Sequence, residues 1–283
     1  MAKTKEPTAV IDRYAVMGYP VAHSRSPVIH RLFAAQTGEN LQYELLEVAP
    51  DKLESAIKQF ERTGGKGLNI TLPHKSEVTR FVDNMSERAS TAGAVNTLVF
   101  KDKEIYGDNT DGVGLMRDLQ TNLKIDLEGA NVLILGAGGS TRGIISPLLD
   151  AKPDSIVIAN RTMDKATTLA QIFSTQGPVT AVSFKNVRTP PEFDLIINAT
   201  SAGVKGEAPP YPANVISKNT ICYDLSYSMK NTPFSSWAKE HGAARSVMGW
   251  GMLVEQAAES FEIWRGVRPD TAQVLKQLSV NAS

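Results

Sequence analysis

The sequence predicts an α/β protein of two units, and three observations carry that expectation. Apolar, strand-like runs alternate with amphipathic helical stretches from residue 14 onward, the pattern of a mostly parallel sheet covered by helices. The chain has 283 residues, more than one ordinary domain. Residues 130–143, ANVLILGAGGSTRG, read as a buried strand running into a glycine turn and then a helix, and they lie mid-chain rather than at the start. Composition narrows the function classes. Hydrophobic residues make up 42% and charged residues 21%, ordinary for a globular chain. Lys+Arg and Asp+Glu both total 30, so no net field draws nucleic acid or an acidic membrane, and the expected partner is a small molecule. No stretch reaches the roughly eighteen apolar residues of a membrane span, and residues 1–12 lack the apolar run of a signal peptide. Cys222 is the only cysteine, which excludes an internal disulfide and a thiolate-cluster metal site and fits a reducing, cytoplasmic location.

In the first half, residues 14–17 begin a strand, and the loop 18–27 (GYPVAHSRSP) is dense in turn formers and hydroxyls. Ser26 and Pro27 open a helix, serine as cap and proline at the first helical position, with Val28, Leu32 and Ala35 as its apolar stripe and Gly38 at its end. Ser24 and Ser26 flank Arg25 at that helix start, where hydroxyls and backbone N–H groups can hold a carboxylate; a cap and a loop residue explain them equally well. Residues 41–48 read as a second strand, and 50–62 as a helix with Leu53, Ile57 and Phe60 on one face. A third strand, 67–71, runs into Leu72-Pro73-His74-Lys75 and so sets polar side chains at its carboxyl end, where open parallel sheets bind ligands. Lys75 opens a short helix, 76–82, whose dipole disfavours a cation there; this makes it a candidate for catalysis, weighed against a solvated lysine. Asn69 and Thr71 serve as strand-end caps or as ligands, and His74 has no second histidine at metal spacing, so no metal is expected. AGAVNT at 92–97 enters another strand, 101–103 makes a charged hairpin turn, and 105–108 returns to Asn109-Thr110-Asp111-Gly112, with Asp111 at a helix-capping position. The strand ends carrying Lys75, Asn96 and Asp111 converge on one sheet edge, which a purely structural role explains poorly.

In the second half, the turn Gly136, Ala137, Gly138, Gly139 and Ser140 presents backbone N–H groups to a pyrophosphate, with Ser140 able to cap the helix 140–149. After the next strand, 155–159, an NAD site usually offers a carboxylate to the ribose. Asn160 and Arg161 stand there instead, and Arg161 with Thr162 and Lys165 can clamp a 2′-phosphate, so NADP is expected over NAD. Residues 193–199 form a strand continued by Thr200 in a small-residue turn against the cofactor, 206–214 a proline-rich loop, 220–225 a strand ending near Tyr227, and 234–241 a helix. The segment 249–251 leads into an amphipathic helix, 252–265, with Leu253, Ala257, Phe261 and Trp264 spaced for burial.

Eight motifs then fall in one order: GYPVAHSRSPVIH at 18–30, NITLPHK at 69–75, AGAVNT at 92–97, GDNTDG at 107–112, GAGGSTRG at 136–143, NRT at 160–162, NATSAG at 198–203 and GWGMLVEQA at 249–257. On these the chain resembles the shikimate dehydrogenase family. The resemblance implies an N-terminal α/β substrate domain with a mostly parallel sheet (1–111), a Rossmann-type NADP-binding domain (112–247), and C-terminal helices (248–283) returning to the substrate domain, so that two crossings form a hinge. It implies that Ser24 and Ser26 bind the substrate carboxylate, that Thr71, Asn96, Asp111 and Gln256 contact ring hydroxyls, that Tyr227 is a further substrate contact, and that Gly249 and Met252 lie on the cofactor side. Lys75 and Asp111 would be the catalytic pair. The implied reaction is NADPH-dependent reduction of 3-dehydroshikimate to shikimate, on the way to chorismate and the aromatic amino acids. Thr141 in place of a third glycine matches the family's loop. Lys165 stands where the family often has arginine, and Ser228-Met229 where it usually has Asn-Pro. Two alternatives stay open: a quinate/shikimate dehydrogenase with relaxed cofactor use, and a non-catalytic NADP-binding regulator. The oligomeric state is open too, a homodimer included.

Overall fold

The computed structural model describes residues 11–188, 192–200, 202 and 213–280. Much of the predicted loop 206–214 lies outside them. The first sheet collects β1 (Asp12–Gly18), β2 (Leu41–Glu47), β3 (Gly65–Ile70), β4 (Asn84–Met85), β5 (Thr97–Lys101) and β6 (Glu104–Asp108) in the order β2-β1-β3-β5-β6-β4. Helices α1 (Ser26–Thr37), α2 (Leu53–Arg62) and α3 (Glu87–Ala92) connect its strands. β1 pairs in parallel with β2 and β3, and β4 with β6, whereas β5 runs antiparallel to both neighbours. The reversal comes from the predicted hairpin, where Asp102 and Lys103 take positive φ (54° and 69°), the turn geometry that follows the twist of paired strands.

Leu53, Ile57 and Phe60 of α2 are buried against Ala15 and Met17 of β1 and Leu68 and Ile70 of β3, as their spacing predicts. The stripe expected on α1 is displaced by one residue. Ile29, Phe33 and Ala34 are its buried apolar residues, while Ala35 is exposed and Val28 and Leu32 only half-buried. The reason is tertiary: α1 is covered by a helix from the far end of the chain, which chooses the face.

α4 (Asp111–Met116), continued by a π-helical segment Arg117–Asn122, carries the chain to the second sheet. There β7 (Asn131–Leu135), β8 (Ser155–Asn160), β9 (Val179–Ser183), β10 (Leu195–Asn198), β11 (Ile221–Asp224) and β12 (Arg245–Met248) stand in the order β12-β11-β10-β7-β8-β9, all parallel. Helices α5 (Gly139–Asp150), α6 (Met163–Phe173) and α7 (Pro233–Glu240) lie between its strands in sequence. This is a doubly wound Rossmann-type sheet whose strand order reverses between β7 and β10, the place such sheets reserve for a ligand.

α8 (Trp250–Arg265) and α9 (Thr271–Val280) return to the first sheet. Val254, Ala257, Ala258 and Phe261 of α8 pack against Ile29, Phe33 and Ala34 of α1. Arg88 of α3 donates to both oxygens of Asp108 (2.7 and 2.8 Å) and to Glu259 of α8 (3.0 Å), riveting α8 to the end of β6. α4 and α8 touch closely at Gly114, where a Cβ would stand 2.7 Å from the backbone nitrogen of Gln256. No described helix is long and apolar enough to cross a membrane.

His30 of α1 is fully buried in this packing, between Phe33, Phe261, Trp264 and the ring of Tyr43, and neither ring nitrogen has a hydrogen-bond partner. Burial therefore pushes its pKa down to about 3. The unfolded chain takes up this proton below about pH 6.5 and the folded chain does not until far lower, so native stability drops as pH falls through that window, by up to about 1.4 kcal/mol per pH unit from this residue. Urea unfolding near pH 6.5 and near pH 4.5 checks this: His30→Phe is expected to lose clearly less stability between the two than the wild type, and equal losses would contradict it.

Candidate active site

The ends of β3, β5 and β6 meet at an ion pair. Lys75 Nζ lies 2.6 Å from Asp111 Oδ2, with the two side chains only 13% and 3% exposed. The other carboxylate oxygen accepts from the Asn96 amide at 2.9 Å, and the Asp111 N–H donates to Asn109 Oδ1 at 3.1 Å. Asn96 is itself fixed: its oxygen accepts the Thr110 N–H (2.9 Å) and the Thr97 hydroxyl (2.8 Å), and its amide also reaches Gln256 Oε1 on α8 (3.4 Å). The convergence expected of Lys75, Asn96 and Asp111 is thus a connected network, and Gln256 joins it from the last third of the chain.

Lys75 and three helix starts differ from their local expectation. Residues 77–81 form a single 3-10 turn, too short for the helix dipole invoked for Lys75; the carboxylate of Asp111 is what holds the ammonium. Nor are Ser26, Asp111 and Ser140 helix caps. The capping positions are Arg25, Thr110 and Gly138, none of which makes a side-chain cap bond. Ser26 and Asp111 are first residues inside their helices, and Asp111 spends its carboxylate on Lys75 and Asn96.

A second group lies at the start of α1. The Ser26 N–H donates to Ser24 Oγ (3.3 Å), and the two hydroxyls are 3.2 Å apart. Tyr227, in the loop after β11, reaches across from the second sheet, and its hydroxyl accepts the Arg25 N–H at 3.3 Å. Beneath them the Tyr43 hydroxyl donates to Asn69 Oδ1 (2.7 Å), and the Asn69 amide is bonded to Asn96 O, Thr97 and Ser260 (3.2, 3.2 and 3.0 Å). Asn69, left open by sequence reasoning, therefore links the two groups. Tyr43, His30 and Ser260 were not anticipated. His30 stacks on Tyr43 at 4.2 Å with a 6° interplanar angle, and its position four residues after Ser26, on the same helix face, was the available signal. Thr71 bonds through its N–H to Met17 O at 2.9 Å, its side-chain methyl lying over Gly18.

The glycine turn after β7 completes the constellation. Gly136 has φ +109°, and a Cβ there would sit 2.9 Å from Ala199 O at the end of β10, so only glycine suits the turn. Thr141, at the third fingerprint position, donates its hydroxyl to Gly136 O at 3.0 Å and ties helix to turn. Half-buried Ala137, exposed Gly138 and half-buried Ser140 line the rim. Gly139 abuts the first unit: its Cβ would stand 3.0 Å from Lys75 Cβ. Thr200 donates its N–H and hydroxyl to Asn198 Oδ1 (3.2 and 2.7 Å). At the end of β8, the Asn160 amide donates to Thr162 O (2.8 Å), and Arg161 and Lys165 are exposed, with no ion pair to either among the described residues. Gly249 is packed against the carbonyls of Asp224 and Leu225, and Met252 is buried with its N–H on Tyr223 OH (3.3 Å), whose proton goes to Asp118 (2.6 Å). Burial pushes the Asp118 carboxyl up. Open N–H groups, a strand-order reversal and two uncommitted cations suit a phosphorylated dinucleotide, with Lys75 beside its loop.

Family models match along most of this chain. Residues 16–98 match the shikimate dehydrogenase substrate binding domain, 118–205 the shikimate / quinate 5-dehydrogenase model, and 249–278 the shikimate 5'-dehydrogenase C-terminal domain. The shikimate dehydrogenase (NADP(+)) of Alkalilimnicola ehrlichii is 51% identical over 267 residues, which cover 94% of this chain and 98% of that protein. Among solved structures, an Ael1 enzyme from Pseudomonas putida is 45% identical with a TM-score of 0.85, covering 94% of this chain and 98% of that one. The shikimate 5-dehydrogenase of Thermus thermophilus, solved in complex with NADP(H) and shikimate, is 32% identical with a TM-score of 0.84, covering 96% and 100%. With about half its residues shared over nearly its whole length, and with family models matched along most of it, this chain belongs to the shikimate dehydrogenase family.

Proposed function

We propose that this chain catalyses the reversible, NADP-linked reduction of 3-dehydroshikimate to shikimate, in the route to chorismate and the aromatic amino acids. The observation that carries the reading is the buried Lys75–Asp111 pair at 2.6 Å, set against Gly139 of the dinucleotide loop. Residues 1–111 act as the substrate unit and 112–247 as the cofactor unit, with 248–283 returning to the first, so that α4 and α8 form the hinge. Ser24, Ser26 and Tyr227 hold the carboxylate, while Thr71, Asn96, Asp111 and Gln256 take ring hydroxyls. Gly136, Ala137, Gly138, Gly139 and Ser140 hold the pyrophosphate, Asn160, Arg161, Thr162 and Lys165 the 2′-phosphate side, and Thr200, Gly249 and Met252 the nicotinamide side.

When bound, NADPH supplies a hydride to the ring carbon. The protein's own part is the proton and the charge. In reduction the carbonyl oxygen gains negative character, and Lys75 is placed to stabilise it and to pass it a proton; Asp111 holds the ammonium in place and, with Asn96, fixes its direction. In the reverse direction the same pair accepts the proton of the alcohol. The reading also places the protein in the cytoplasm, where its single cysteine is inert: burial pushes the Cys222 thiol up to about 12, out of reach of thiolate chemistry.

The nearest rival, a quinate/shikimate enzyme using NAD, is favoured by Lys165, a compact ammonium that stacks less well than a guanidinium. Rates with quinate and NAD against shikimate and NADP separate the two. Two substitutions test the assigned roles. Lys75→Ala is expected to lower kcat by about a hundredfold to ten-thousandfold in protein whose melting curve is still cooperative, and near-normal turnover would remove Lys75 from the chemistry. Arg161→Ala is expected to raise the KM for NADP at least about tenfold while that for shikimate stays within about twofold, and equal rises would end its phosphate role.

A further inference from the structure

Among the described residues, Tyr227, carried on the loop between β11 and α7, makes the contact between the two units at the carboxylate end. The base of that loop is well tied. Asp224 accepts the Ser226 N–H (3.0 Å) and the Thr232 hydroxyl (2.5 Å), and Ser226 O accepts the Gly249 N–H (3.0 Å). Its outer part carries local bonds, the Lys230 N–H to Ser228 Oγ (3.2 Å) and Lys239 Nζ to Asn231 Oδ1 (2.9 Å). Met229 is 40% exposed, and no proline stiffens residues 227–229, where this chain has Tyr-Ser-Met. The support for Tyr227 comes from outside the loop, from the first residue of α8. The Trp250 ring lies 4.7 Å from the Tyr227 ring at an angle of 49°, and its indole N–H donates to Ser228 O at 3.3 Å. One side chain thus grips both the phenol and the backbone that follows it.

We propose that Trp250 is a positioning residue for substrate capture, acting through Tyr227. A tyrosine side chain free to turn about two bonds would point its hydroxyl at Arg25 only part of the time; the tilted indole restricts it to the orientation in which that hydroxyl accepts the Arg25 N–H. In that orientation the phenol proton remains available to an anion held at Ser24 and Ser26. The indole N–H fixes the carbonyl of residue 228, so the loop cannot swing the phenol away as a unit. The anchor is also well chosen. α8 carries Gln256, which reaches Asn96 and Thr110 (3.4 and 3.5 Å), so one helix sets the carboxylate contact through Trp250 and the ring contact through Gln256. A shift of α8 during hinge motion would move both together. The consequence is a specific one: Trp250 governs affinity for the acid, while the hydride and proton steps, which belong to Lys75, Asp111 and the dinucleotide loop, do not depend on it.

The inference rests on the reading that the carboxylate of shikimate is bound at Ser24 and Ser26, and its test separates the two. Shikimate binding is measured by titration calorimetry and turnover by steady-state kinetics, for the wild type, Trp250→Leu and Trp250→Phe. Trp250→Leu is expected to weaken shikimate binding and raise its KM about tenfold, with kcat and the KM for NADP within about twofold. Trp250→Phe, which keeps a ring against Tyr227, is expected to recover most of the loss. Unchanged shikimate affinity in Trp250→Leu, or a KM for NADP that rises as much as that for shikimate, would overturn the proposal and leave only a packing role at the start of α8. Should Trp250→Leu not fold, Trp250→Met, which likewise removes the ring, and Tyr227→Phe, singly and combined, carry the test. If Trp250 acts through the Tyr227 hydroxyl, the double variant binds shikimate no more weakly than Tyr227→Phe, and effects that multiply would overturn it. A wild type that binds no shikimate would refute the substrate reading and this inference together; a wild type that binds and turns it over, with variants indistinguishable from it, would refute this inference alone.

Discussion

A lysine and an aspartate buried together impose the constraint that the rest of this molecule satisfies. Two charges removed from water are tolerated only when each keeps partners, and an ammonium or carboxylate left alone costs several kcal/mol. Lys75 and Asp111 answer each other, and Asn96 and Asn109 complete the surroundings of the aspartate. Asn96 in turn needs Thr97 and Thr110, and these lean on Ser260 of α8. Following the bonds outward from the pair passes through the ends of three strands and arrives at the helix that returns from the second unit. The site and the joint between the units are therefore one hydrogen-bonded structure.

The return of α8 also accounts for features that look unrelated. It selects the buried face of α1, buries the His30 ring among aromatic side chains, and brings Gln256 to Asn96. It begins at Gly249 and Gly251, packed against the carbonyls after β11 and against Asp118 respectively, so its first turn is seated in the second unit while its remainder is seated on the first. Trp250 and Met252 sit at that seat, one turned to the loop of Tyr227 and the other bonded through Tyr223 to Asp118.

What the sequence disclosed and what it withheld divide along the range of the interactions. Alternation of strand and helix, the burial of Leu53, Ile57 and Phe60, and the glycine turn at Gly136 depend on neighbours a few residues apart, and all were legible. The roles read into Ser26, Ser140 and Asp111 as caps failed because local chemistry permits a cap wherever a short polar side chain begins a helix, while long-range partners claimed Asp111. The antiparallel course of β5 was legible only in the hairpin at 101–103, and β12 escaped because four residues beside a helix leave too little pattern. Tyr43 and Ser260 became visible only in three dimensions: their partners, Asn69 and Thr97, are distant in sequence, and nothing near them marks a polar site. The ordered motifs supplied what periodicity could not, a reason to read Lys75 and Asp111 as one device before any contact was seen.

The division of labour that follows is simple. On the proposed function, the second unit presents a dinucleotide, the first presents an acid with ring hydroxyls, and the proton passes at the pair between them. One measurement tests this most directly: NADPH formation by the wild-type protein with shikimate as the only added alcohol. The account predicts continuous NADPH formation over many turnovers, matched mole for mole by 3-dehydroshikimate. Binding of NADP and shikimate with no NADPH produced would contradict it, leaving a protein that recognises both molecules and does no chemistry on them.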